Sequence, residues 1–334
     1  MAMLIDEIYS NKFVNNRLRY YHSFSKIEHE YEVYTQKSSV TQRAEREEFE
    51  KWVVRYKPKI IIITAAKNRL GFLKNQLAKL YAQDFQYLWT WLIVDNYSND
   101  QTRDFFKSIS DNRIKLVSYT DKTGYAAPVR NFGISLSIIA NQYRCNDKVF
   151  AFILDSDDEL YDSSSLSTIY KCSTSAKENR PICFSHGYTI NNYFNHFGKI
   201  ERYGTHPHKI DNAFPRVTYM KDIFDYGLVT LSALIPLSIL KYILYPDERS
   251  FEDNGFAHKL YIAKIRFNLA VRYDNYPINI KRFHQESMAS VNDKLSTKSR
   301  KKTERIGEHI VKGMRVNIVD NLRLLREYFT QNNL

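Results

Sequence analysis

An apolar run that ends abruptly in carboxylates is the feature that most constrains the fold of this chain. The run, Val149 to Leu154, has no polar alternation, which is typical of a strand buried on both faces of an α/β sheet. The stretch Asp155 to Glu159 (Asp-Ser-Asp-Asp-Glu) follows it directly. The carboxyl end of a strand in an open α/β sheet faces the ligand crevice, so we expect these carboxylates to lie at a binding site.

The spacing of the acidic residues indicates a possible chemistry. Asp155 and Asp157 alternate with Ser156, which puts their side chains on the same side of an extended backbone. Two hard oxygen ligands so placed suit Mg²⁺ or Mn²⁺ shared with a diphosphate. The alternative is structural, because a cluster formed by Asp158, Glu159 and Asp162 would also favour the start of a following helix. The neighbouring segments decide between the two.

Strand and helix patterns alternate along the first half of the chain. The β-branched run at 59–64 predicts a strand covered on both faces, and a helix pattern follows at 70–81. Further strands are predicted at 89–94, 114–118 and 149–154, and further helices at 101–109 and 129–143. Strands separated by helices in this way predict an α/β fold with a doubly wound, mostly parallel sheet.

Other segments are expected to extend this domain. We predict a helical N-terminal extension at 1–56, a main domain at 57–291 with halves at 57–160 and 161–291, and a basic helical C-terminal tail at 292–334. In the extension, Phe49, Val53 and Tyr56 recur at helical spacing. In the second half we predict a strand near 182–188, an irregular loop at 191–212 and an ordered segment at 228–240. The charge run of the tail is typical of a solvated face.

The net charge and the cysteine content limit which binding partners and which cellular compartment we expect for this protein. The formal net charge of +12 favours an acidic partner: nucleotide phosphates, an anionic membrane face, an acidic glycan or nucleic acid. The 3 cysteines have no Cys-x-x-Cys spacing, so neither a disulfide framework nor a zinc site is implied, and we expect a reducing, cytoplasmic compartment. The longest apolar run is too short to span a bilayer, so any contact with the inner membrane face is expected to be peripheral.

Short motifs follow one another in an order that resembles a known family. They are Ile63–Arg69 (I-T-A-A-K-N-R), Ile93–Asp100 (I-V-D-N-Y-S-N-D), Gly124–Gly133 (G-Y-A-A-P-V-R-N-F-G), Asp155–Asp158, Phe251–Asn254 and Arg282–Ser287. This series resembles the inverting family 2 glycosyltransferases with the GT-A fold, whose elements read T-P-T-Y-N-R, V-V-D-D-x-S-x-D, G-x-x-x-A-R-N-x-G, D-A-D-D, E-D and R-x-H-x-x-S. The resemblance covers roughly residues 57–291. The second acid of V-V-D-D is replaced by Asn96, so the base of the nucleotide stays open between uridine, thymidine and others.

The resemblance implies a set of site residues. The nucleotide-sugar donor would be bound by Thr64, Ala65, Ala66, Asn68, Asp95, Asn96, Arg130, Asp155 and Ser156. Asp155 would hold the ribose side of the donor, and Asp157 would ligate Mn²⁺ or Mg²⁺, with His284 completing the coordination. Asp253 would be the base that deprotonates the acceptor, with Glu252 as its substitute.

Each of these residues also has a structural alternative. Asn68 would serve as a helix N-cap, Asn96 as the first residue of an Asx-turn, and Asp253 as the N-cap of a helix at 254–265. Arg130 would simply face solvent, and His284 would be a structural histidine. The residue types alone do not exclude these alternatives.

The sequence therefore predicts a metal-dependent, inverting glycosyltransferase. Its expected acceptor is a surface polysaccharide or a lipid-linked glycan, with nucleic acid and polypeptide as alternatives. A nucleotidyltransferase would have a glycine-rich phosphate loop after the first strand, and Thr64 to Arg69 contains no glycine. A non-enzymatic polyanion-binding protein is the remaining alternative, and it would use the basic tail and the tyrosine-rich N-terminus.

Overall fold

The computed structural model describes residues 31–32, 36–120, 124–141, 149–174, 182–191, 200–204, 233–240, 243–245, 256 and 271–283. The strands are β1 (Ile60–Ala66), β2 (Trp89–Asp95), β3 (Ile114–Ser118), β4 (Phe150–Ile153), β5 (Glu159–Leu160), β6 (Ile182–Asn191), β7 (Ile200–Gly204), β8 (Ala233–Pro236) and β9 (Val271–Phe283). The helices are α1 (Val40–Tyr56), α2 (Leu70–Tyr81), α3 (Thr102–Lys107), α4 (Ala127–Ala140), α5 (Ser165–Thr174) and α6 (Leu237–Leu240).

Within these ranges the strands form one mixed sheet. The strand order is β3-β2-β1-β4-β8-β6-β9-β5, and β7 pairs with β6. Strands β3, β2, β1 and β4 are parallel, whereas β8 is antiparallel to both β4 and β6. Ala66 is in register with Asp95, and Asp95 with Ser118, so the carboxyl ends of β1, β2 and β3 lie level. The predicted α/β fold with a mostly parallel sheet in this half is confirmed.

The sheet is buried on both faces because its strands alternate between two apolar layers. On β1, Ile61 and Ile63 face a cluster formed with α1 and α4, and Ile60 and Ile62 face one formed with α2 and α5. This arrangement explains the unbroken apolar runs, because both faces of a parallel strand are covered. Helix α4 lies very close to the sheet at Gly133, where an added Cβ atom would be 2.6 Å from Ile63 Cγ2.

Helix α1 belongs to the predicted N-terminal extension, and it packs against the main domain. Ser39 caps it through a capping box with Gln42. Phe49 and Val53 are fully buried, as their spacing predicts, but Tyr56 is 42% exposed. The Tyr56 ring lies at the end of the helix and contacts Trp52, at 5.2 Å between ring centroids, rather than the sheet.

The irregular loop predicted at 191–212 is wrong in part. Residues 200–204 form β7, which pairs antiparallel with β6, for example Tyr203 with Gly187. The segment lacks the apolar alternation that marks a strand, and its cross-strand partners provide the pairing. Residues 192–199, 205–212 and 228–232 lie outside the described residues. Of the helices that the structure describes, none is long and apolar enough to cross a membrane.

Candidate functional site

The acidic turn, which we define as Asp155–Asp158, follows β4 at the carboxyl edge of the parallel strands. The backbone N–H of Asp158 donates to the carbonyl of Asp155 at 3.1 Å and closes the turn. Gln76 reaches it from α2, with its side-chain Nε2 donating to the carbonyls of Asp155 at 2.5 Å and Asp158 at 2.6 Å. Since Gln76 is 1% exposed, the turn is fixed from within the core.

Arg130 connects the acidic turn to helix α4 and to the second half of the chain. Its guanidinium forms an ion pair with Asp155 and lies 5.1 Å from the centre of the Tyr245 ring. The Tyr245 ring stacks on Phe256 with 4.1 Å between centroids and an interplanar angle of 3°. Asn131 fixes Tyr245 by two hydrogen bonds to its backbone, at 2.8 and 2.9 Å. Arg130 is 5% exposed, so the alternative in which it faces solvent is wrong.

The predicted metal-binding carboxylates differ in their surroundings. Asp155 is engaged by Arg130, and its side chain is 19% exposed. Ser156 and Asp157 are partly exposed in the same turn. In the part of the chain that the structure describes, no three side chains of His, Cys, Asp or Glu lie close enough together to hold a metal ion. A metal here would therefore need ligands from a bound donor or from elsewhere in the chain.

Asp158 is a buried member of the acidic turn, and it anchors the turn to β9. Its Oδ1 accepts a hydrogen bond from the backbone N–H of Arg282 at 3.1 Å, and the Arg282 side chain pairs with Glu159 at 2.8 Å. Burial raises the pKa of the Asp158 carboxyl well above its usual value, and the charge of Asp155 raises it further, while Lys281 opposes both. The acidic turn and the end of β9 are thus held together.

The helix-start alternative for this acidic cluster holds for only one of its members. Asp158 is bound to β9, and Glu159 lies in β5, which pairs with β9. Asp162 does act near a helix start: its Oδ1 accepts from the backbone N–H of Ser164 at 2.9 Å, just before α5 begins at Ser165. The alternative is therefore wrong for Asp158 and Glu159.

At the end of β1, both a side chain and the backbone are hydrogen-bonded to β2 and to the turn that follows it. Thr64 is fully buried, and its hydroxyl accepts a hydrogen bond from the indole N–H of Trp91 at 2.9 Å. The carbonyl of Ala66 accepts from the backbone N–H of Asn96 at 2.8 Å. Ala65 is partly buried and Ala66 is 2% exposed. The Thr64 side chain thus packs in the core, and a ligand at this edge would meet mainly the backbone.

Asn68 joins the turns that follow β1 and β2. Its φ of 53° is in the left-handed region, which Asn tolerates better than most residues. Its Oδ1 accepts from the backbone N–H of Asn99 at 2.8 Å, and its own N–H donates to Ser98 Oγ at 2.9 Å. The N-cap residue of α2 is Arg69, so the alternative in which Asn68 caps that helix is wrong.

Asp95 ends β2 inside a network of polar side chains. It is 1% exposed and pairs with Arg103 at 3.1 Å, and Arg103 pairs in turn with Glu45 of α1 at 2.7 Å. Asp95 also accepts from the backbone N–H of Ser98 at 3.3 Å. The carboxylate of Asp95 therefore accepts from this turn, and the Asx-turn alternative for Asn96 stays a prediction.

Asp100 closes the same motif and supports two helices. Its carboxylate oxygens accept from the backbone N–H groups of Leu70 at 3.4 Å and Thr102 at 3.0 Å, at the starts of α2 and α3. Partial burial raises the pKa of the Asp100 carboxyl, but the hydrogen bonds from Thr102 and Leu70 outweigh it, and the pKa lies below its usual value.

The residues that support the site were not among those expected from the sequence. The role of Gln76 could have been predicted from the sequence. It interrupts the apolar stripe of α2 formed by Leu73, Leu77 and Leu80, and a buried polar residue needs hydrogen-bond partners. No sequence pattern predicts the roles of Arg103 and Glu45. They meet only because α1 packs beside β3 and α3.

The predicted base and the second predicted metal ligand lie outside the described residues. These are Asp253, with its substitute Glu252, and His284. The described residues nearest to them in sequence are Phe256, which is fully buried, and Phe283 at the end of β9.

The comparisons with known proteins agree with this geometry. Residues 61–172 match the sequence model of the family described as Glycosyl transferase family 2. The matched segment contains β1 to β5, the acidic turn and Arg130. It ends before Phe251–Asn254 and Arg282–Ser287, whose resemblance to the family stays a prediction. No curated protein matches this sequence.

Solved structures share the fold. The S. aureus TarS 1-349 structure in complex with UDP-GlcNAc is 16% identical, with a TM-score of 0.50, over 70% of this chain and 60% of that one. A mannosyltransferase, PcManGT, from Pyrobaculum calidifontis in complex with GDP-Man and Mn²⁺ is 14% identical over 75% of this chain and 68% of that one, and its TM-score of 0.43 is too low to support more.

These likenesses differ in what they establish. At 16% identity the TarS structure indicates a common fold alone and does not bear on the substrate, and this chain spans 60% of the TarS structure. The family match bears directly on the sequence and supports the predicted resemblance to family 2 over the matched segment. Residues 61–172 of this chain are therefore similar to glycosyl transferase family 2.

Proposed function

We propose that this chain is a metal-dependent, inverting glycosyltransferase that uses a nucleotide-sugar donor. The observation that carries the proposal is the acidic turn Asp155–Asp158. It lies at the carboxyl edge of the parallel strands, is ion-paired to Arg130, and falls inside the family 2 segment. The proposal includes the site residues that the motifs imply. It also includes the two halves of the domain, with residues 57–160 binding the donor and residues 161–291 binding the acceptor.

The donor would bind across the carboxyl ends of β1, β2 and β4. The level register of Ala66 and Asp95 supports this, because a nucleotide laid over both turns meets backbone groups from each. Asp155 would contact the ribose, and Arg130 beside it would supply positive charge towards the phosphates. The burial of Thr64 and Asp95 suggests that their side chains shape this edge while backbone atoms near Ala65 and Asn96 contact the base.

The proposed metal-ligand atoms suit a hard divalent cation. The Asp157 carboxylate is partly exposed in the acidic turn, and carboxylate oxygens are the ligands that Mn²⁺ and Mg²⁺ prefer. His284 would add a ligand. Its neighbour Arg282 donates its backbone N–H to Asp158, so the chain leaves β9 beside the turn. A bound divalent cation supplies positive charge that stabilises the departing nucleoside diphosphate.

The proposed base, Asp253, would act on the face of the sugar opposite the leaving group. The stacking of Phe256 on Tyr245, whose ring lies beside Arg130, supports the proposal, because Phe256 is the described residue nearest to Asp253 in the sequence. As the acceptor oxygen bonds to the sugar C1 atom, the bond from C1 to the diphosphate breaks, and the acceptor proton passes to Asp253 or to Glu252. This single displacement inverts the configuration at C1.

The proposed acceptor follows from the net charge of the chain. A chain with a net charge of +12 is attracted to an anionic membrane surface, where lipid-linked glycans and growing polysaccharides are found. We therefore propose a cytoplasmic enzyme in peripheral contact with the inner membrane face, acting on such a glycan. The same charge would favour nucleic acid as acceptor, or polyanion binding without catalysis.

A screen of nucleotide sugars with Mn²⁺, scored by release of free nucleoside diphosphate, tests the proposal. We expect one donor to be turned over, with a strong loss of activity in Asp253→Ala. Salt-dependent binding of DNA or acidic glycan, with no turnover of any donor, would favour the polyanion-binding alternative instead. The configuration of the product, read by NMR of the anomeric proton, separates inversion from retention.

A further inference from the structure

We propose that Glu45, on helix α1 and outside the family 2 segment, is a positioning residue for the nucleotide end of the donor site. The inference rests on the proposed function, because it takes the turn after β2 as part of the donor site. It gives a role to the N-terminal extension, to which neither the motifs nor the family match assign one.

Glu45 uses both of its oxygens to hold groups next to Asp95. Its Oε1 pairs with Arg103 Nη2 at 2.7 Å, and the other terminal nitrogen of Arg103 pairs with Asp95 at 3.1 Å. Its Oε2 accepts from the backbone N–H and the hydroxyl of Ser118, each at 2.8 Å. Since Ser118 is in register with Asp95, Glu45 fixes the ends of both β2 and β3.

The charges of this network depend on one another. The side chain of Asp95 is 1% exposed and that of Glu45 is 12% exposed, so Arg103 lies between two poorly solvated carboxylates. Burial lowers the pKa of Arg103, but the charges of Glu45 and Asp95 outweigh it and leave the pKa raised. Arg103 Nη1 also donates to the Ser118 hydroxyl at 2.5 Å. Loss of the Glu45 charge would remove one of the two carboxylates that pair with Arg103 and shift the guanidinium towards Asp95.

Movement of Asp95 would reach the binding edge through short contacts. Asp95 accepts from the backbone N–H of Ser98, and the Ser98 hydroxyl accepts from the backbone N–H of Asn68. The next residue, Asn96, donates its N–H to Ala66. A shift at Asp95 is therefore passed to the turns after both β1 and β2, which are the proposed nucleotide contacts.

Helix α1 is a fixed support for this network. Phe49 and Val53 are fully buried in the same apolar cluster as β1 and α4, and Gln42 Nε2 donates to the carbonyl of Tyr119 at 3.0 Å. The same helix offers a matched control in Glu48, whose pair with Lys115 at 2.5 Å also joins α1 to β3. The side chain of Glu48 is 68% exposed, and its pair is separate from Asp95.

The test compares Glu45→Gln with Glu48→Gln in the full chain. The measurements are the Kd for UDP, dTDP and GDP with Mn²⁺ by calorimetry, and KM and kcat for the donor found in the screen. We expect Glu45→Gln to raise Kd and KM about 3- to 10-fold with kcat nearly unchanged, because a partly buried charged pair that aligns Asp95 is lost. Glu48→Gln should match the wild type. If Glu45→Gln does not fold, Glu45→Asp takes its place.

The outcomes separate this inference from the proposed function. If the wild type binds nucleotide and both variants bind it equally well, the positioning role is overturned and the function stands. A fall in kcat with KM unchanged also overturns it. If the wild type binds no nucleoside diphosphate, the proposed function fails, and the inference fails with it.

Discussion

Replacing Gly133 by alanine should push helix α4 off the sheet. The added Cβ atom would lie 2.6 Å from Ile63 Cγ2 and 3.0 Å from Val94 Cγ2, well inside the usual carbon contact of about 3.5–4.0 Å. Both neighbours are β-branched and have little rotamer freedom, so the helix rather than the strands must move. Overpacking costs about 1–3 kcal/mol, and a contact of 2.6 Å belongs in the upper part of that range, about 2–3 kcal/mol, of which the better helix propensity of alanine returns about 1 kcal/mol.

We therefore expect Gly133→Ala to lower the free energy of unfolding by about 1–2 kcal/mol, measured by urea denaturation. Turnover should fall as well, because Arg130 lies one helical turn away and pairs with Asp155. Gly71→Ala is the matched control: nothing lies within 4 Å of its Cβ position, so that variant should be as stable as the wild type or slightly more so. A Gly133→Ala protein of wild-type stability would refute the close packing.

Other predictions concern the support of the site. Gln76→Met removes both hydrogen bonds to the acidic turn and should raise the Mn²⁺ concentration needed for half-maximal activity several-fold. Gln83→Met, just after the end of α2, removes bonds to Asp162 and Leu166 and should cost stability only, so equal Mn²⁺ dependence in both variants would contradict this. Asp100→Ala should lower the Tm at neutral pH. The folded pKa of Asp100 is lowered, so its contribution is present above the unfolded value near 3.8 and is lost as the pH falls through the folded pKa. Thermal scans from pH 7 to 3 check this, and a Tm difference that does not shrink in acid would contradict it.

The backbone of residues 57–160 could be predicted from the sequence because its signals are local. Strands β1, β2 and β4 are covered on both faces, and this requires the unbroken apolar runs that mark them. Strand ends carry the polar residues, so the carboxyl edge of the sheet could be located as well. Strand β7 was missed because its pairing with β6 depends on a partner and not on its own pattern.

Side-chain partners could not be predicted in the same way. Thr64 and Asp95 do lie at strand ends. However, the Thr64 hydroxyl is hydrogen-bonded to Trp91 and the Asp95 carboxylate is paired with Arg103, and both contacts are buried. Arg130 finds Asp155 because α4 packs closely on β1 and β2, and only the folded chain provides that proximity. Residue type and spacing thus indicate where a site lies, and tertiary packing decides which atoms face it.

The Mn²⁺ dependence of nucleotide binding in Asp157→Ala tests the central claim most directly. Asp84→Ala, which removes an exposed carboxylate away from the acidic turn, is the control for loss of charge. Kd for the nucleoside diphosphate, with and without Mn²⁺, would be measured for both variants and the wild type, together with donor turnover. We expect Asp157→Ala to lose the tightening by Mn²⁺ and to lose turnover by about 100-fold or more, while Asp84→Ala keeps both. Wild-type Mn²⁺ dependence and turnover in Asp157→Ala would contradict the assignment of the acidic turn as the donor and metal site.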